Sequence, residues 1–214
     1  MRTPVALAAA LALVPAATAA AAAPDLSKAL LTPAQGGVAY QLLQRTDGHG
    51  LGTRTLDLCG IGNYPSEKLR TARIQVDYDR NGSALTLSNE VVAYKPGGAA
   101  QAMREVIDHA THCPHTPISP GVQGLPPLTF TITRLTAARL LKGYLAVKVL
   151  VAGTVNGKKV EQTSYAVYQR LGNVLSGVYS NGPPTPQQLA FCVQAAEQSA
   201  SNLRRLQAPS GPVA

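Results

Sequence analysis

The sequence predicts an α+β fold: a meandering antiparallel sheet of six to seven strands with two main helices packed on it, in the order β-ββ-α-ββββ-α. Three features carry that prediction. Apolar and polar residues alternate in paired segments separated by Asn-Gly, the preferred pair for a two-residue type I′ turn. Two other segments place apolar residues at helical spacing. Each of these helices follows a hairpin, so both can lie on the sheet.

The chain from Asp25 to Ala34 reads as a short irregular or helical lead-in, and residues 37–45 as a first strand. A Gly-rich loop over 46–55 then leads to Cys59. Residues 70–80 and 83–94 flank Asn81-Gly82 and form the clearest hairpin. A two-residue turn there sets Tyr78 opposite Leu85, Val76 opposite Leu87 and Ile74 opposite Asn89. On the other face it sets Asp77 opposite Thr86, Gln75 opposite Ser88 and Arg73 opposite Glu90. The apolar face is expected on a core and the polar face toward water.

Pro96-Gly97-Gly98 ends that strand, and a helix is expected over 98–113. Ala99, Ala102, Met103, Val106, Ala110 and Cys113 form its apolar stripe. Cys113-Pro114 stops it, and 114–127 is a Pro/Gly loop. Strands follow at 128–135, 143–155, 158–171 and 174–180, with turns at Asn156-Gly157 and Gly172-Asn173. Thr185-Pro186-Gln187-Gln188 opens the last helix: Thr caps, Pro suits the first helical position, and Gln188 completes a capping box. Leu189, Cys192, Val193, Ala196, Ala200 and Leu203 are its expected buried stripe. Arg204 and Arg205 suit its negative C-terminal end. The two hairpin-helix stretches read as common motifs in succession rather than a duplication.

The first 23 residues read as a secretory signal peptide. Met1-Arg2 is a charged start, Val5 to Val14 an apolar run too short to anchor in a bilayer, and an Ala-rich stretch with Ala17-Thr18-Ala19 a cleavage region. No Cys follows the apolar run to accept a lipid. No later segment is long and apolar enough to cross a membrane. The expected product is therefore exported, released and soluble: one domain over 24–207 and a Pro/Gly tail over 208–214. About 190 residues suffice for one core of ordinary size. The chain carries 19 Lys and Arg against 11 Asp and Glu, a net charge of +8. The basic residues are dispersed, Trp is absent and no nucleic-acid motif appears, so no nucleic-acid partner is expected.

Candidate chemistry is sparse. In an oxidising compartment two of the three cysteines are expected to pair. Cys59 precedes the first hairpin and Cys113 ends the helix after it. A bridge closing 54 residues would stabilise by roughly 4 kcal/mol in the chain-entropy model. Redox chemistry is the competing reading, and the close Cys-x-x-Cys pair it prefers is absent. Cys192, in an apolar stripe, reads as a buried free thiol. His109, His112 and His115 cluster about Cys113, and a metal site is the alternative to a solvated helix end, without a standard zinc spacing. Gly48-His49-Gly50-Leu51-Gly52 does not open a helix after a strand, so it is no phosphate cradle. No nucleophile elbow, Walker loop or His-Glu-x-x-His motif is present. The turn at Asn156-Gly157 puts Leu145, Val147, Val149 and Val151 on one face. Tyr144, Lys148, Tyr165 and Gln169 share the other with Ala146 and Val167. That second face reads either as an amphipathic recognition patch or as edge packing with polar tips outward.

The export signal, "LLTPA", the Cys before the first hairpin, "SNEVVAYKPGGAAQAMREVIDHATHCP", four further strands and an Ala/Leu-rich last helix together resemble the PknH-like extracellular sensor domain family of secreted actinobacterial proteins. The resemblance spans residues 25–206 in layout and short phrases. It implies an antiparallel sheet with helices, a disulfide matching Cys59 to Cys113, and a ligand cleft without catalysis. Cys192 has no counterpart in it, and the chain has no kinase domain. Three functions follow for comparison. They are a secreted ligand-binding or sensor-like domain, an envelope-associated protein-interaction module, and a hydrolase with a dispersed site. No cofactor is expected. The expected partner is a small molecule, a lipid or an envelope polymer, with a protein as a further possibility. A cleft with converging ionisable groups would favour the enzyme, and an apolar cleft without them the binding domain.

Overall fold

The computed structural model describes residues 24–36, 40–46, 51, 54–60, 62, 64–80, 83–119, 126–182 and 184–207. The expected signal peptide, the Asn81-Gly82 turn, most of the Gly-rich run and the 208–214 tail lie outside the described residues.

Seven antiparallel strands form one open sheet in the order β1-β2-β3-β7-β6-β5-β4. They are β1 Tyr40–Thr46, β2 Arg70–Arg80, β3 Ser83–Tyr94, β4 Thr129–Leu135, β5 Leu145–Val155, β6 Lys158–Leu171 and β7 Val174–Gly182. Two meanders, β1 to β3 and β4 to β7, meet where β3 pairs with β7. The predicted α+β class and element order are therefore present. The lead-in is a 3-10 turn at Leu26–Ala29 and the short helix α1, Pro33–Gly36. A 3-10 turn at Pro65–Leu69, which begins with a proline at its first position, is an element the periodicity did not reveal.

Alternation divides the sheet into two apolar faces. One carries Ile74, Val76, Tyr78, Leu87, Val91, Val167 and Val178, and helix α3 (Pro186–Gln207) packs on it. The opposite face carries Val92, Leu145, Val147, Val149, Tyr168 and Leu175, and helix α2 (Gly98–His112) covers it. The sheet is thus a middle layer between two helices. All five helical members of the predicted α2 stripe are buried, and Cys113 caps the helix. The β5–β6 turn has the positive φ angles of its type at Asn156 (49°) and Gly157 (73°).

Four details correct the reading from sequence. The β2–β3 register is displaced by two residues next to the turn, so Tyr78 pairs with Leu87 and Arg73 with Val92. An even displacement keeps every side chain on its expected face. The polar face of that hairpin does not look out to water: Arg73 and Glu90 are both 3% exposed, because residues 55–58 fold over them. In α3 the buried face is rotated to Gln188, Cys192, Ala195, Ala196, Ser199, Ala200, Asn202 and Leu203. Its polar members have partners: Ser199 bonds Ser176, and Asn202 donates to the Leu30 carbonyl. Thr185 does cap α3 by accepting from the Gln188 amide. The Gln188 side chain donates to the Ser180 carbonyl instead of closing the box.

Candidate functional site

The loop between β1 and β2 is fastened at two points. Cys59 and Cys113 form a disulfide with Cα atoms 5.8 Å apart, tying the loop to the end of α2. The Glu67 carboxylate accepts from the Thr55 amide at 3.1 Å and the Leu56 amide at 3.3 Å, and it pairs with Arg70 at 2.9 Å. Beneath the loop lies a closed polar network. Glu90 pairs with Arg73 and accepts from the hydroxyls of Thr55 (3.0 Å) and Tyr179 (3.3 Å). Tyr179 stands edge-on to Tyr168 with ring centroids 5.6 Å apart. Burial pushes the Glu90 carboxyl up to about 7, against the lowering pull of the Arg73 guanidinium. Burial likewise raises the Tyr168 and Tyr179 hydroxyls. The network holds no thiol or imidazole, and its hydrogen bonds join the loop to the sheet.

The residues singled out from sequence take separate places. His112 turns to Asp108 at 2.9 Å, while His109 stacks on Tyr64 with centroids 4.3 Å apart. His115 lies beyond the helix end. Among the described residues, no three His, Cys, Asp or Glu side chains come together as a metal site. Cys192 is free and fully buried, its thiol pushed up to about 12 by that burial. The Tyr144, Lys148, Tyr165 and Gln169 face is not an open patch. Tyr165 and Gln169 are buried beneath α3 and residues 136–144. Gln169 accepts from the Leu141 amide and donates to the Ala196 carbonyl. Tyr144 accepts from the Ala137 amide at 2.8 Å. Of the four, Lys148 and Tyr144 keep partial exposure. The register expected from sequence is correct here, with Lys148 opposite Tyr165. What the register does not contain is the helix that covers it.

An open cleft of about 660 Å3 lies elsewhere, at the end of the sheet where α3 terminates. It is lined by Pro24, Thr71, Ala93, Tyr94, Pro96, the β6–β7 turn at Gly172-Asn173, Val174, Leu206 and Gln207. Its walls are held by main-chain ties. The Tyr94 amide donates to the Asn173 carbonyl (2.9 Å), and the Gly97 amide to the Asn173 side chain (3.3 Å). Gly172 has φ 56°, and a side chain there would collide with Gln207. Gln207 in turn donates to the Leu171 carbonyl. The volume is that of a small-molecule site. The side chains of the lining include no carboxylate, imidazole, thiol or amine. Its one ionisable side chain, Tyr94, stays neutral because burial raises its hydroxyl. Sequence reading missed this cleft because its walls come from positions near 24, 71, 94, 173 and 206, which only the β3–β7 pairing unites. A second cleft of about 640 Å3 opens between Pro117, Pro126, Pro127 and Thr129 on one side and the β5–β6 hairpin on the other, with Lys159 and Glu161 in its lining.

These features define a disulfide-stapled α/β/α layered domain with ligand-sized clefts at its ends. No family model matches the chain, and no curated protein matches it. Among solved structures it is similar to the extracellular domain of PknH from Mycobacterium tuberculosis, with a TM-score of 0.55 and 12% sequence identity, over 82% of this chain and 94% of that chain. At that identity the likeness is one of fold, so the resemblance read from short phrases holds for the fold alone. No described helix is long and apolar enough to cross a membrane.

Proposed function

We propose that this protein is a secreted, non-catalytic binding domain of sensor type that takes a small, largely apolar ligand in the cleft beside Tyr94 and Asn173. The observation that carries this reading is the lining of that cleft: apolar walls, a few neutral hydrogen-bonding groups, and no converging ionisable side chains. A hydrolytic site needs a nucleophile or a metal and a base within reach of one another. The raised-pKa carboxyl of Glu90 is instead closed over by residues 55–58. Support for an extracellular setting comes from the signal-like N-terminus, the disulfide and the fold shared with an extracellular domain.

The test is native mass spectrometry of protein purified from its own culture medium, beside a Thr71→Trp variant. Thr71 is exposed at the cleft rim, so the larger ring fills the opening without disturbing the core. The expected result is a co-purifying small molecule that the variant loses while its thermal unfolding is unchanged. A molecule retained by the variant would place the site elsewhere.

A further inference from the structure

The two edges of the sheet are built differently. The β1–β2 pairing is broken by a register shift between Leu42 and Gln44, a bulge of the kind that blunts an edge against unwanted pairing. At the other edge, β4 pairs with β5 over seven consecutive residues without a shift. Its sequence, Thr129-Phe-Thr-Ile-Thr-Arg-Leu135, has no Pro, no Lys and a single charge. Among the described residues, its outer side is paired only just before the strand begins. There the Leu128 amide donates to the Ile118 carbonyl and the Ile118 amide to the Leu128 carbonyl.

That bridge sets the phase of the edge. Hydrogen-bonding groups alternate between the two sides of a strand. With Leu128 bonded outward, the amides and carbonyls of Phe130, Ile132 and Arg134 also point outward, and those of Thr131 and Thr133 point to β5. We propose that this edge is a self-association site, where β4 of a second copy of this chain adds antiparallel about a twofold axis through Ile132. A twofold contact requires each residue to meet its reciprocal partner, and β4 meets that requirement. Ile132 faces its own counterpart in a doubly hydrogen-bonded pair. Phe130 faces Arg134 of the other copy and Arg134 faces Phe130, while each guanidinium stays on its own α2, where it donates to the Ile107 carbonyl and the Thr111 hydroxyl. Thr131 faces Thr133 on the opposite side of the sheet, where both are exposed. The two Arg134 side chains fall four residues apart along the strand, about 13 Å, beyond the screening length at physiological salt. Charge placement therefore favours this register over one that sets Arg134 against itself.

Seven edge residues cover less than the roughly 1,200 Å2 of a stable dimer, so the expected dissociation constant is roughly 0.1 to 1 mM. The positive net charge of each copy opposes approach, and added salt should strengthen the association. Sedimentation equilibrium of the exported protein, over a series reaching about 1 mM, reads the constant directly. Thr131→Lys with Thr133→Lys sets like charges opposite each other and should weaken dimerisation at least about tenfold. Thr131→Glu with Thr133→Lys sets opposite charges there and should recover it. Both positions are exposed, so both variants keep the fold. Hydrogen exchange should show added protection at the amides of Phe130, Ile132 and Arg134 on dimerisation, with those of Thr131 and Thr133 unchanged. A monomer at every concentration, or a dimer indifferent to the double-lysine variant, overturns the proposal.

Discussion

Asn89 shows how one polar residue organises a core. It is fully buried on the α3 face, where a hydrophobic residue would be the usual occupant. Its side-chain oxygen accepts from the Leu31 amide at 2.9 Å, and its nitrogen donates to Ser176 and to the Gly177 carbonyl at 3.0 Å each. The lead-in segment is thereby pinned to the two central strands, and the Tyr78 hydroxyl adds a bond to the Leu31 carbonyl. Asn89→Ala removes one partner from each of these buried groups, and each unsatisfied group costs about 1–3 kcal/mol. Urea denaturation should show a loss in that range or above, with the lead-in becoming cleavable by protease before the sheet. Alternation placed Asn89 on the core face from sequence alone. That pattern held no information about its partners, which lie 58 and 87 residues away. Gln169 is the same case: its face was legible, while its bonds to Leu141 and Ala196 depend on where α3 lands.

Among the elements, strands were the most legible because a two-residue turn sets both pairing and alternation. The β5–β6 hairpin pairs as the Asn156-Gly157 turn requires from Val155↔Lys158 onward. The β2–β3 hairpin slips by two at its turn, an irregularity to which side-chain alternation is blind. α3 was harder. Its small residues repeat on several faces, and the buried side was decided by polar partners for Ser199 and Asn202 rather than by the apolar count. The loop over residues 55–59 was legible only through its cysteine. It packs by tying Cys59 to Cys113 across 54 residues. Cys59→Ser with Cys113→Ser should lower stability by roughly 4 kcal/mol on the chain-entropy model. It should also raise exchange of the Thr55 and Leu56 amides, which Glu67 alone then holds. Chemical denaturation with and without reductant measures the first effect. Equal stability of the two forms would mean that Glu67 and the loop's apolar contacts suffice.

At the scale of the whole molecule, the sequence specified the element order but not the closure of β3 on β7. That pairing spans 81 to 95 residues and brings the two meanders into one sheet. Its consequence is a covered polar centre. Glu90 on β3, Tyr179 on β7, Arg73 on β2 and Thr55 from the loop meet in one network, so its charge state is coupled to the folding of the entire domain. The Glu90 carboxyl is raised to about 7 in the folded protein, chiefly by burial, from an ordinary value of 4.5. Below the lower value the carboxyl is protonated in both states and stability is independent of it. Between the two values the folded protein holds a proton that the unfolded chain has released, so stability falls as pH rises. Above about 7 both states are ionised and the loss is complete. The expected decline between pH 5 and pH 8 is on the order of 2–3 kcal/mol. Glu90→Gln is uncharged at every pH and should flatten that decline while remaining less stable than the native protein at low pH, since an NH2 group replaces one of the two oxygens that accept from Thr55 and Tyr179. Denaturant midpoints across this pH range compare the two directly. A native protein whose stability relative to the Gln variant is flat from pH 5 to pH 8 and falls only below about pH 4.5 would mean that Arg73 outweighs burial and holds Glu90 ionised, with the pair acting as a charged clamp between loop and sheet.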